Sequence, residues 1–185
     1  MRKLIMWNLV TLDGFFDGEK PWGLDWHQRA WCPELERLSI EQCSHAGAIL
    51  FGRATYEGMA AYWPSAKGPI ADLMNGARKI VFSRTLEQAA WNNASVVRTD
   101  ATDEVARLKR EQSQDAGDLY LFGSAALSES LLRAGLFDEI RLCVAPVVLG
   151  KGRPLFGRGL PERPLRLLDT TSVSSGAVIL RYAMA

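Results

Sequence analysis

Three times in this chain an apolar run stops at a small or hydroxylated residue next to an arginine or alanine: Phe51-Gly52-Arg53-Ala54-Thr55, Phe82-Ser83-Arg84-Thr85 and Phe122-Gly123-Ser124-Ala125. Each run is of strand length, and helix-compatible segments lie between them. Strands separated by helices pair in parallel, and a parallel sheet must be covered on both faces. Ligands of such sheets sit beyond the carboxyl ends of the strands, where these signals fall. The pattern therefore sets both an architecture and the place to look for a site.

The remaining segments fit that architecture. Residues 4–10 read as a buried first strand broken by Asp13-Gly14 and Asp17-Gly18. Residues 15–32 form a long aromatic connection holding Trp22, Trp26 and Trp31, a length more typical of functional loops. Pro33 suits the first position of a helix whose early acids, Glu34 and Glu36, complement the dipole and whose stripe is Leu35 and Leu38. A helix with Tyr56 and Met59 inward follows Gly52-Arg53, and a short helix over 70–75 precedes the strand at 79–83. Val96-Val97 is a further short strand. Thr102 is expected to cap a helix running to about Gln112, and Gly135 to end one that carries Leu127, Leu131 and Leu132. A strand at 139–144, a turn-rich edge at 146–152 and a hairpin over 165–173 and 177–182 complete the chain. The expectation is one domain over residues 1–185: α/β, a mostly parallel, twisted central sheet of about eight strands, helices on both faces and a C-terminal antiparallel hairpin.

Composition narrows the function by exclusion. With 22 basic and 21 acidic residues and a net charge of +1, no charged block points to nucleic acid or a membrane surface. No apolar run approaches the ~20 residues of a membrane span. The odd number of cysteines, Cys32, Cys43 and Cys143, and the lack of Cys-x-x-Cys fit a reducing, cytoplasmic setting. Neither His27 nor His45 has a ligand-like neighbour at helical spacing, so no metal site is expected.

What the three strand ends offer is anion chemistry. Helix N-termini present unpaired N–H groups and a positive dipole end. Glycine permits close backbone approach, arginine supplies a charged fork, and Ser or Thr adds hydroxyl donors. Together they point to a dinucleotide or another extended phosphate ligand, although a glycine after a strand also serves as a plain turn. The familiar signatures are absent: there is no G-x-G-x-x-G after the first strand and no G-x-x-x-x-G-K-[ST]. Gly150-Lys151-Gly152 runs into Arg153-Pro154 and reads as a turn.

In this order the segments resemble the dihydrofolate reductase-like superfamily. The likeness is carried by Thr11-Leu12-Asp13-Gly14, by Leu50 to Glu57, by Lys79 to Arg84, by Leu119-Tyr120-Leu121-Phe122-Gly123-Ser124-Ala125-Ala126-Leu127 and by Gly135 to Ile140. With Pro146-Val147-Val148-Leu149-Gly150-Lys151-Gly152, the pattern is similar to the C-terminal reductase domain of the bifunctional riboflavin-biosynthesis deaminase-reductase. The resemblance implies NADPH. Gly52, Arg53, Ala54 and Thr55 would face the pyrophosphate and adenosine 2′-phosphate. Ser83 and Arg84 would hold the adenosine end, Gly123, Ser124, Ala125 and Ala126 the pyrophosphate and nicotinamide ribose, and Val10 and Thr11 the nicotinamide surroundings. The family usually shows Gly-Gly where this chain has Gly123-Ser124.

For the substrate, the resemblance implies a small heterocycle and one protonating acid. Asp13 and Glu36 are the candidates, each with a plain structural alternative as a turn residue or a first-turn helix acid. Trp22 and Trp26 either wall an aromatic pocket or pack as core. Riboflavin reductases usually carry polar and basic residues for a phosphoribosyl group where this chain reads Met59-Ala60-Ala61-Tyr62-Trp63-Pro64. The expected activity is the 5-amino-6-(5-phosphoribosylamino)uracil reductase step of riboflavin biosynthesis. The alternatives are dihydrofolate reduction and a catalytically silent nucleotide-binding homologue. A homo-oligomer, with a dimer favoured, is expected because strand edges prefer to be covered.

Overall fold

Alternation along the strands decides which layer each residue joins. In β1 (Leu4–Thr11), Leu4 and Met6 face one way with Leu50, Leu119 and Leu121, while Ile5 and Trp7 face the other with Ile49, Phe51, Tyr120 and Phe122. Both faces of the sheet are thus apolar and both need cover. The structure is a computed structural model that describes residues 1–111 and 117–185.

The other central strands are β3 (Ala46–Gly52), β4 (Lys79–Phe82), β5 (Ala94–Val97), β6 (Asp118–Phe122), β7 (Glu139–Ala145), β9 (Leu165–Ser172) and β10 (Val178–Met184). A two-residue strand, β8 (Arg153–Pro154), pairs with β2 (Phe15–Asp17) outside the main sheet. The eight-stranded order is β5-β4-β3-β6-β1-β7-β10-β9, parallel from β5 through β7 and antiparallel across β10 and β9. The architecture is the expected α/β sheet with its C-terminal hairpin.

Helices cover the faces as the apolar stripes require. Leu35 of α1 (Pro33–Ser44), Tyr56 of α2 (Arg53–Tyr62) and Met74 of α3 (Pro69–Gly76) pack on the Ile5 side. Val105 and Leu108 of α4 (Ala101–Arg110) and Leu127, Leu131 and Leu132 of α5 (Ala125–Arg133) pack on the Leu4 side. Pro33 opens α1 as expected.

Three local expectations need correction. The cap of α4 is Asp100, whose carboxylate accepts from the Thr102 and Asp103 N–H groups and the Thr102 hydroxyl; the expected end near Gln112 lies outside the described residues. The aromatic connection is partly ordered, with β2 and a 3-10 turn at Asp25–Arg29. Finally, residues 146–152 are not a free edge. Val147 accepts from the Leu12 N–H, and the Leu149 and Gly150 N–H groups donate to Asp13. Among the described residues, no helix is long and apolar enough to cross a membrane.

Candidate active site

The order of the strands makes a crevice where β1, β6 and β3 end side by side, because the chain leaves β1, builds outward through β3, β4 and β5, then returns between them. Two of the three strand-end signals meet there. Gly123 and Ser124 both take left-handed backbone, with φ of 57° and 55°. At Gly123 this suits glycine, and a Cβ there would also press to 3.1 Å from the Thr55 methyl carbon. Ser124 pays the conformational cost of its side chain and returns it as a link: its Oγ accepts from the Gly52 N–H at 3.0 Å, while its own N–H donates to Thr55 Oγ1 at 3.0 Å. The Gly123 N–H donates to Asn8 Oδ1 at 2.7 Å. The β3–α2 and β6–α5 loops are thereby locked together and onto β1.

That lock leaves two helix starts open. Neither α2 nor α5 has a side-chain hydrogen bond at its N-cap, and Arg53, Ala54, Thr55, Ala125 and Ala126 all line one cleft of about 460 Å³. First-turn N–H groups and two positive dipole ends therefore converge on it. Arg53 stands at this end, its Nε paired with Glu57 at 2.7 Å and its Nη1 donating to Thr85 Oγ1 at 2.7 Å. Through Thr85 it reaches the β4–β5 loop, where Ser83 Oγ accepts from the N–H groups of Thr85 and Leu86. Ser83 and Arg84 are outside the cleft wall itself, just before Thr85, to which Arg53 donates.

The opposite wall is apolar and aromatic. The residues after β2 close on themselves: the buried Asp17 carboxylate accepts from the Gly18 and Trp22 N–H groups, at 2.9 and 3.3 Å. Trp22 is held at φ 65° with its indole against the α2 backbone at Gly58, where a Cβ would run into the ring. Pro21, Trp22 and Leu24 thus face the cleft, with Trp31, Met59, Trp63, Ile70 and Met74 beyond them. Trp26 points away into the core, and its neighbour His27 lines the cleft instead. Burial drives the His27 pKa down to about 4, with Asp17 opposing, so the ring is neutral near pH 7.

Several expected residues lie elsewhere. Val10 is buried in the core on the Leu4 side, and Thr11 is tied by its hydroxyl to Asp13 and the Phe15 N–H; the part of β1 on the cleft is Trp7-Asn8-Leu9. Asp13 is outside the cleft wall. Its carboxylate accepts from the Thr11 hydroxyl and the Gly150 and Leu149 N–H groups, and these bonds, that of Thr11 foremost, hold its pKa down to about 2. It clamps a turn and is ionised in any usual buffer, so it has no proton to give. Glu36 is half-buried on α1 but is not on the cleft, whose α1 wall is Ser39, Gln42 and Cys43. The one carboxylate among the described lining residues is Asp17, engaged as above.

The residues that pattern reading missed are Asn8, His27 and Gln42. Each lines the cleft and each keeps one buried nitrogen, Nδ2, Nε2 and Nε2 respectively, without a hydrogen-bond partner. A lone amide inside the apolar run of β1 was the available signal for Asn8. Gln42 shares the face of Leu35, Leu38 and Ser39, which is visible only once the helix is placed.

Residues 2–179 match the family described as the RibD C-terminal domain. The chain is 31% identical to the Bacillus subtilis (strain 168) protein YyaP, over 98% of this chain and 94% of that one. A riboflavin-biosynthesis protein structure from Shewanella sp. PV-4, described as putative in its name, superposes with a TM-score of 0.78 at 19% identity, covering 100% of this chain and 99% of that one. Dihydrofolate reductase from Enterococcus faecalis, solved with NADP(H), superposes with a TM-score of 0.65 at 15% identity, covering 98% and 96%. The fold is dihydrofolate reductase-like.

Proposed function

Since the chain belongs to the RibD C-terminal domain family, we propose that it is a reductase that uses NADPH to reduce a small heterocyclic metabolite. The observation that carries this is the pair of uncapped helix starts, α2 and α5, locked by crossed hydrogen bonds so that both open on one cleft with Arg53 at its end.

The residues suit that cofactor. The N–H groups at Ala54, Thr55, Ala125 and Ala126 line the cleft and would hold the pyrophosphate, with the left-handed turn at Gly123 allowing close backbone approach. Arg53, which donates to Thr85 in the loop that carries Ser83 and Arg84, would hold the adenosine 2′-phosphate, a group that NADH lacks. Asn8 Nδ2, buried beside the Gly123 turn and unpartnered, is a donor that would be available to a bound ring. Bound NADPH supplies hydride. Trp7, Trp22 and Phe122 exclude water around the reacting ring. With Asp17 engaged, Asp13 and Glu36 off the cleft and His27 neutral, the proton comes from water.

The specific reaction of this class is 5-amino-6-(5-phosphoribosylamino)uracil reduction, the reductase activity named for a Thermotoga maritima deaminase–reductase structure of which this chain covers 57%. The same want of a free acid favours the silent nucleotide-binding homologue as the second reading. The same reading takes the protein to work in the cytoplasm, a setting that the unpaired Cys32, Cys43 and Cys143 support, and as a pair with a second copy of itself.

The test is a titration with NADPH and with NADH, followed by energy transfer from tryptophan to the nicotinamide, beside Arg53→Ala. Micromolar NADPH binding, weaker NADH binding and a roughly tenfold loss in the variant for NADPH alone are expected, the size of one charge-assisted phosphate contact. Failure to bind either nucleotide would sink the reductase reading.

A further inference from the structure

The far end of the cleft, roofed by α1, α2 and α3, has chemistry of its own. Its walls are Trp31, Cys43, Met59, Trp63, Ile70 and Met74. The Trp63 indole N–H is spent on Met59 Sδ at 3.0 Å, and Ser39 Oγ donates back to the Leu35 carbonyl at 2.8 Å. Among the described lining residues the only permanent cations are Arg53, at the dinucleotide end, and Arg153, which sits over the Phe16 ring at 5.6 Å. The α1–α3 end has none. The Arg141 guanidinium lies behind Gln42 rather than on the wall and is engaged by Glu139, Gln42 and Tyr120, so a phosphate buried there would have no cation to pair with directly, and an unpaired buried charge is costly.

One polar group breaks the apolar surface. Gln42 is 97% buried, its exposure being 3%, and its Nε2 has no partner. Its orientation is not free. Arg141 Nη1 donates to Gln42 Oε1 at 2.8 Å and to the Tyr120 hydroxyl at 3.2 Å. Arg141 is itself fixed by Glu139, which accepts from its Nε at 2.7 Å and from Arg181 Nε at 2.9 Å. Flipping the amide would set its NH2 against the guanidinium. The charge network behind Gln42 therefore turns Nε2 away from Arg141 as a fixed donor with nothing to donate to. A buried amide nitrogen left without an acceptor costs roughly 1–3 kcal/mol, which a ligand acceptor would recover.

We propose that this end of the cleft selects a flat, uncharged heterocycle that bears a carbonyl or ring-nitrogen acceptor and no phosphate, and that Gln42 is the residue that reads the acceptor. The inference rests on the reductase reading of the same cleft. The aromatic and thioether walls supply the stacking surface. The lack of a cation on the wall disfavours the phosphoribosyl tail, and the oriented amide discriminates a lactam-like ring from a hydrocarbon of equal shape. Gln42 is thus a specificity residue, positioned by Arg141 and Glu139.

The experiment measures binding by tryptophan quenching in saturating NADP+, with three probes: quinazoline-2,4-dione, naphthalene and uridine 5′-monophosphate. The dione is expected to bind tightest, and Gln42→Leu to weaken it about tenfold while leaving naphthalene and NADPH affinities unchanged. Because that variant also leaves Arg141 short of a partner, Gln42→Glu is the second arm. It keeps an acceptor for Arg141 and replaces the donor by an oxygen, so it should lose the dione as fully while remaining folded. Dione affinity unaltered in Gln42→Glu, or uridine monophosphate binding more tightly than the dione, would overturn the proposal. Gln42-dependent binding of the dione by a protein that fails to bind NADPH would uphold the pocket assignment and remove the reductase reading, so the two fail separately.

Discussion

His27 is the residue whose environment has the clearest consequence in solution. Burial takes its pKa down to about 4 in the folded protein, against 6.5 for an ordinary histidine, and its Nε2 is buried without a partner. Between those values the unfolded chain binds a proton that the folded one refuses. Stability is therefore fully present above pH 6.5, falls as pH is lowered through 6.5 to 4, and levels off below. The shift corresponds to at most about 3 kcal/mol, reduced by whatever water reaches the ring. Asp13 acts in a separate window: its lowered carboxylate pKa contributes stability above 3.8 that is lost as pH falls toward about 2. Urea unfolding at pH 7, 5.5 and 4.5 should show the midpoint dropping with pH in the wild type and a much flatter trend in His27→Phe. An unchanged slope in the variant would assign the loss to other groups.

At the scale of elements, the Asp17–Leu24 segment is held by a contact that can be broken cleanly. Trp22 carries left-handed strain, and its ring rests on the α2 backbone because Gly58 has no side chain. Gly58→Ala would expel the indole, yet an alanine inside a helix gains about 1 kcal/mol over glycine. The two effects oppose, so the melting temperature should move by only a few degrees. Amide exchange across residues 18–24 should nevertheless quicken by an order of magnitude or more, which mass spectrometry of peptides from that segment would detect. Equal exchange in both proteins would show that Trp22 does not hold the segment. The contact also marks what was legible in the sequence. Strand ends were readable because an apolar run followed by Gly52, Ser83 or Gly123 is a local signal, and those ends locate the sheet and the cleft. Trp22 on Gly58, Gln42 on Arg141 and the two-residue β8 were not, since each depends on a partner far along the chain and has no periodicity of its own. Asp13 and Glu36 were plausible acids for the same reason. A carboxylate's neighbours, Leu149 and Gly150 for Asp13, decide its role, and spacing does not display them.

For the whole molecule the open question is the outer edge of the sheet. All eight residues of β9 are exposed, and among the described residues no strand pairs with it on its outer side. Leu165 and Leu167 stand opposite Met184 and Tyr182, and remain 41% and 52% exposed. A long edge strand with three exposed leucines, Leu165, Leu167 and Leu168, and no lysine or proline is a template for another strand, and proteins rarely leave one uncovered. The opposite edge, β5, is a strand of four residues and is a poorer template. A second copy that pairs along β9, or packs its leucines across the two-fold, satisfies both the open backbone and the apolar side chains, and the arrangement closes on itself. It leaves the cleft free, because the cleft lies at the ends of β1, β3 and β6 and takes no residue from β9. Light scattering at micromolar concentration should therefore give twice the chain mass, and Leu167→Arg should give the single mass with NADPH affinity unchanged, since like charges would face one another across the axis. A monomeric wild type would mean that the exposed edge is tolerated as it stands. A dimer that survives Leu167→Arg would place the interface on another surface.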